Sequence, residues 1–175
     1  MKTRNMARCA LFAAFLCVCA WVSVPVGTVF VTMQTFGVFL CLLLLGGKMG
    51  TVTITIYLLL GAVGLPAFSG FRGGVGALLD ATGGYLVGFL VMGLTYWLIT
   101  AVFGNQNKVR ILACVAGLIL CYGFGTAWYW RLYLSSGGSG SVWTVVFTCV
   151  VPYLLPDGVK LTAAYLLSKR LKQIV

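Results

Sequence analysis

Long apolar runs alternate with short polar or glycine-rich breaks along this chain. Residues 1–8 are basic, and residues 9–24 form an apolar helix that ends near Pro25. Residues 36–63 are too long for one crossing, since a span needs about 20 apolar residues. They are interrupted at 46–50 by Gly-Gly-Lys-Met-Gly, so two short helices folding back at Lys48 are expected, because glycines and a charge punctuate a hairpin. Residues 84–103 make a fourth span, the polar stretch 104–110 turns the chain, and 111–134 make a fifth. A Ser/Gly turn at 135–141 leads into a last segment, 142–168, broken by Pro152 and Pro156 and followed by a basic tail. The pattern predicts an all-α integral membrane protein of about six transmembrane helices, one domain over 1–175. A long Gly-rich loop lies between helices 3 and 4.

The first apolar run has the charge pattern of a signal peptide. It continues into Val-Pro-Val-Gly-Thr-Val-Phe-Val-Thr without an Ala-x-Ala cleavage site, so a retained first span is expected. The Gly-rich stretch 64–85 carries Pro66, Arg72 and Asp80 among Leu, Phe and Val. Irregular backbone near a membrane persists where protein covers it or where it lines a polar cavity. A lid or binding loop is therefore expected. It is not a phosphate-cradling loop, for it lacks the Gly-Lys-Ser/Thr ending.

Composition agrees: 61% of residues are hydrophobic and 8% charged. The net charge of +10 would suit nucleic acid only if the basic residues formed one face. Instead they open the chain (Lys2, Arg4, Arg8), close it (Lys169, Arg170, Lys172) and occupy breaks (Lys48, Lys108, Arg110). That distribution follows the positive-inside rule: it puts both termini in the cytoplasm of a multi-pass protein of the cell membrane, in contact with lipid, and the Gly-rich loop outside. The 7 cysteines lie in or beside apolar runs without Cys-x-x-Cys spacing, and there is no histidine. Structural zinc and His-dependent nucleophilic catalysis have no ligand set, and no cofactor is expected.

Candidate chemistry centres on the last segment. The chain has 2 acidic residues, Asp80 and Asp157. Asp157 lies three residues before Lys160 in an apolar run, so on a helix both reach one small volume. Counting back from Lys169 at helical rise puts Asp157 about 18 Å into the membrane, past its middle. Ionisable groups at that depth usually mark a function. Lys160 could pair a carboxylate, and Asp157 could accept N–H groups of a ureido, amide or purine-like ligand. Gln34 and Thr35 add neutral donors and acceptors, Phe71 and Tyr85 could cover an apolar ring, and Gly73, Gly83 and Gly84 are further substrate-binding candidates in the Gly-rich stretch. The bland alternative is that Asp157 and Lys160 only neutralise each other so that the helix can insert. Asp80 is expected to cap the fourth helix, and Arg72 to be an outer-surface or gate residue. Ala10 and Ala14, at i and i+4, permit close helix approach, either inside the fold or against a partner.

Five stretches together resemble the BioY family, the biotin-specific S components of energy-coupling factor transporters: 7–16 (ARCALFAAFL), 29–38 (VFVTMQTFGV), 57–70 (YLLLGAVGLPAFSG), 82–89 (TGGYLVGF) and the Asp-x-x-Lys of 155–160. The resemblance is weakest over 104–150. It implies a six-helix protein that captures biotin from outside, with uptake driven by a transmembrane T component and two cytoplasmic ATPases. It implies docking to the T component through Ala10 and Ala14. It also implies ligand roles for Asp157 and Lys160, with Lys160 facing the valerate carboxylate and Asp157 the ureido N–H groups. Two departures stand out: Asp80-Ala81 precedes Thr82-Gly83-Gly84-Tyr85 where the family often has Gly-Pro, and Asp157 precedes Gly158 where the family often has Pro-Gly-Asp. The alternatives are an S component for thiamin or riboflavin, a membrane enzyme using Asp157 in proton transfer, and a stand-alone channel or secondary transporter.

Overall fold

The computed structural model describes residues 3–26, 29–137 and 141–172. Five of its helices are long and apolar enough to cross a membrane: α1 (Thr3–Trp21), α2 (Gln34–Ala62), α4 (Gly83–Phe103), α5 (Asn107–Ser135), and α6 (Val142–Cys149) taken together with α7 (Val151–Lys172). The short α3 (Val75–Leu79) and a 3₁₀ turn at Ser69–Phe71 fill the connection between α2 and α4. The outer surface is apolar, with Leu11, Leu98, Leu112, Ile119 and Val159 among its exposed residues. Such a surface is stable only against lipid. Helical hydroxyls are satisfied locally: Thr51, Thr53, Thr55, Thr95 and Thr162 each donate to the carbonyl four residues back, as membrane burial demands.

The run 36–63 falls on α2 and its C-cap, Val63, and turns at Gly46, whose φ of 79° and ψ of 176° leave the helical region. Glycine reaches that backbone state without the Cβ clash other residues meet. The two arms then run side by side. Gln34 Nε2 donates to Tyr57 Oη at 2.6 Å, although the residues are 23 apart in sequence and a straight helix would separate them by about 35 Å. Lys48 is exposed beside the turn. Leu43's carbonyl lies just before the break, and Arg110, in the first turn of α5, donates to that oxygen and to Tyr96 Oη. Arg110 is thus buried at 5% exposure rather than displayed at the membrane surface as the charge distribution suggests.

Glycines let α4 and α5 approach closely. A Cβ on Gly88 would meet Cys121, one on Gly117 would meet Met92, and one on Gly125 would meet the Tyr85 ring, all under 3.0 Å. Lipid exerts no hydrophobic force between helices, so their contact depends on such close packing.

Three expectations are corrected. The first helix ends at Trp21, and an antiparallel hairpin follows, β1 (Ser23–Val26) with β2 (Val29–Thr32), Ser23 opposite Thr32. The strands are rich in β-branched residues, which favour extended backbone, and this short hairpin is set into an otherwise helical fold. The last segment breaks at Val150, before its prolines. Pro152 falls in the first turn of α7, where no N–H is required, and Pro156 is carried inside the helix. The Gly-rich connection is not an open loop, since 64–82 hold a 3₁₀ turn and α3, and α4 begins at Gly83.

Candidate functional site

Along α7 the buried residues Tyr153, Asp157, Lys160, Ala164 and Ser168 form one stripe, spaced by three or four residues as one helix face requires. Tyr153, Asp157 and Lys160 of this stripe line a cavity of about 80 Å³. Thr32, Gln34 and Thr35 line it from β2 and the start of α2. Ser69 and Thr82 come from the α2–α4 connection, Tyr85, Leu86 and Phe89 from α4, and Cys121 and Tyr122 from α5.

Asp157 and Lys160 are 2% and 8% exposed, with Lys160 Nζ 2.7 Å from Asp157 Oδ1. Thr35 completes a triangle. Its hydroxyl donates to Asp157 Oδ1 at 2.8 Å and accepts from Lys160 Nζ at 3.1 Å. Tyr122 donates to the other oxygen, Asp157 Oδ2. A buried ion pair persists where such added hydrogen bonds satisfy the remaining lone pairs and protons. Capacity is left over: Lys160 uses two of its three donors in these bonds, and a carboxylate oxygen holds two lone pairs. Beside this cluster Gln34 is held by Tyr57 and by the Thr32 hydroxyl, which donates to Oε1 at 2.9 Å. Tyr85 Oη lies 3.3 Å from Thr126 Oγ1. The site therefore combines a charged, bifunctional end with an apolar wall of Leu86, Phe89 and Cys121. That pairing suits a ligand with a compact donor–acceptor group on an apolar body.

Of the candidates from sequence, the fold gathers Gln34, Thr35, Tyr85, Asp157 and Lys160 around this cavity. Four others lie outside its lining. Phe71 is 64% exposed and stacks on Trp21 at 5.3 Å between centroids. Gly73 packs its backbone on Leu65, Gly83 on the Leu78 carbonyl, and Gly84 on the Trp128 side chain. These three glycines serve close packing of the connection and of α4. Asp80 does not cap α4, whose N-cap residue is Thr82. It pairs with Arg72 at 2.8 Å, accepts from the Ala81 amide at 2.7 Å, and its carbonyl accepts from Trp128 Nε1. Arg72 also donates to Thr82 Oγ1 at 3.3 Å, and Trp21 Nε1 donates to Pro66 O at 2.7 Å. The connection over the cavity is thus pinned from α1 and from α5. Ala10 and Ala14 are exposed on α1, about a quarter-turn round from its buried Cys9, Ala13 and Leu16.

Sequence reasoning missed Thr32, Ser69, Thr82, Leu86, Phe89, Cys121, Tyr122, Cys149 and Tyr153. Tyr153 carried a signal, one turn from Asp157 on the same face. Tyr122 carried none, because a tyrosine in an apolar run has no mark that assigns its partner. Among the described residues no group of three potential metal ligands converges.

A sequence profile of the BioY family matches residues 1–175. The chain belongs to the BioY family. Among BioY relatives, the probable biotin transporter BioY of Pyrococcus horikoshii is 36% identical over 173 residues, covering 98% of both chains. The biotin transporter BioY of Thermotoga maritima is 36% identical over 172 residues, covering 98% of this chain and 97% of its own. A crystal structure of the S-component for biotin from an ECF-type ABC transporter superposes with a TM-score of 0.84, covering 98% of this chain and 92% of that one. At 23% identity that likeness shows a shared fold.

Proposed function

We propose that this BioY chain is the high-affinity biotin-binding S component of an energy-coupling factor transporter, a binding subunit rather than an enzyme. The observation that carries the reading is the Asp157–Lys160–Thr35 cluster, set against an apolar wall in a chain that matches the family over residues 1–175. The transported ligand is biotin, and no cofactor is invoked.

The geometry argues for one change in the expected pose. Lys160 and Asp157 are 2.7 Å apart, so they cannot serve opposite ends of an extended biotin. A ureido group presents N–H donors beside a carbonyl acceptor, which matches a carboxylate beside an ammonium. Asp157 then takes a ureido N–H, Lys160 the ureido oxygen, and the fused rings lie toward Leu86 and Phe89. Gln34, Thr35 and Tyr85 complete the wall.

The two arms of α2 count as two crossings in this reading, giving six helices in one S-component domain. Both termini and Lys48 face the cytoplasm, and the cavity opens outward beneath the 64–82 connection. The exposed Ala10 and Ala14 offer the close-approach surface for a T component, which with two ATPases would power release inward. The test is calorimetric titration of the purified chain with biotin, thiamin and riboflavin. Binding of biotin alone, weakened at least about 10-fold (1.4 kcal/mol) by Asp157→Asn, is expected. Tight binding of thiamin or riboflavin with none of biotin would refute the assignment.

A further inference from the structure

If the ureido group occupies the Asp157–Lys160 end, the valerate carboxylate must find donors elsewhere. A carboxylate withdrawn from water requires them, since burying an unpaired charge is heavily disfavoured. Lys160 and Thr35 belong to the ureido end, and the Gln34 side chain is tied to Thr32 and Tyr57. Thr82 Oγ1 accepts from Arg72 and keeps its own proton, so it is a second donor on this wall, held in place from the connection. Tyr153 differs from all of these. It lines the cavity and is 8% exposed, and its hydroxyl is buried without a hydrogen-bond partner. Buried hydroxyls are almost always paired, so an orphan on a cavity wall calls for an explanation.

Position supplies one. Tyr153 precedes Asp157 by four residues on the buried face of α7, one turn or about 6 Å away along the axis. Long helical side chains lean toward the helix N-terminus. Tyr153 therefore leaves α7 one turn N-terminal to the charged cluster, on the side that an extended acid arm would take from a ureido ring held at Asp157.

We infer that Tyr153 is a ligand-contact and specificity residue, whose hydroxyl donates to the carboxylate of the bound acid. The inference rests on the biotin reading above and adds to it which group of this chain recognises the acid end. Removing this oxygen should therefore weaken binding of the acid without costing stability, whereas removing a structural group would lower stability.

The experiment uses the full chain and Tyr153→Phe, which keeps the ring and removes one oxygen. Two ligands are titrated, biotin and its analogue with a methyl group in place of the carboxyl, and thermal unfolding is followed without ligand. Expected are about 10-fold weaker biotin binding by Tyr153→Phe, unchanged analogue binding, and an unfolding midpoint equal to or above that of the wild type. Equal losses for both ligands, unchanged biotin affinity, or a lowered midpoint with weaker binding of both would overturn the role of Tyr153. A wild-type chain that does not bind biotin would instead overturn the parent reading, and with it this inference.

Discussion

Replacing Lys160 by Met removes the ammonium while keeping the apolar stem. Asp157, 2% exposed, then stays buried with only the hydroxyls of Thr35 and Tyr122 as donors. At an effective dielectric constant of about 20, unit charges 2.7 Å apart attract by about 6 kcal/mol. Relief of lysine desolvation offsets part of this, and breaking one side of a buried pair typically costs about 3–5 kcal/mol. The two remaining hydroxyl donors place Lys160→Met near about 3 kcal/mol, and Asp157→Asn, which leaves Lys160 with Thr35 alone, at a similar value. Removing both charges should restore most of the loss, because a well-packed neutral replacement of a buried pair is often near neutral. The double variant should therefore fall within about 1 kcal/mol of the wild type, an interaction energy of about 5 kcal/mol in the cycle. The assay is a reversible unfolding titration with sodium dodecyl sulfate in mixed micelles, read by tryptophan fluorescence. Additive single losses, with coupling below about 0.5 kcal/mol, would refute direct pairing. Biotin binding separates stability from function: the double variant should fold and fail to bind. A double variant that folds and binds as the wild type would leave the pair as an insertion device only.

Two further outcomes test the frame around the site. Arg110→Met should cost about 1–3 kcal/mol in the same titration, because Leu43's carbonyl loses its buried donor, while the biotin Kd stays unchanged. Ala14→Leu adds bulk to an exposed helix face. It should leave biotin binding intact while abolishing co-purification with the T component and ATPases.

Much of this protein was legible as pattern. Apolar run length marked the helices over 84–103 and 111–134 to within a few residues, because a span of fixed thickness demands a minimum length. The glycines and charge at 46–50 marked the turn that Gly46 makes. Asp157 and Lys160 stood out because buried charge is costly and rare, and their spacing alone placed them on one face. The prolines misled: Pro152 reads as a breaker but sits in a helix's first turn, where its missing N–H is harmless. The glycines of the 64–85 stretch read as candidate site positions, and in the fold Gly73, Gly83 and Gly84 lie against neighbouring protein atoms. A sequence records that a residue is small without recording what comes near it.

Local spacing and burial cost therefore determined, from the sequence by itself, where the membrane helices run and which α7 residues share a face. Only the tertiary structure decided what meets that face. Thr35 and Tyr122 reach Asp157 across 122 and 35 residues of chain, contacts that depend on how helices pack and not on any periodicity within them. The orphaned hydroxyl of Tyr153 is of the same kind, since the lack of a partner is a property of everything around a side chain.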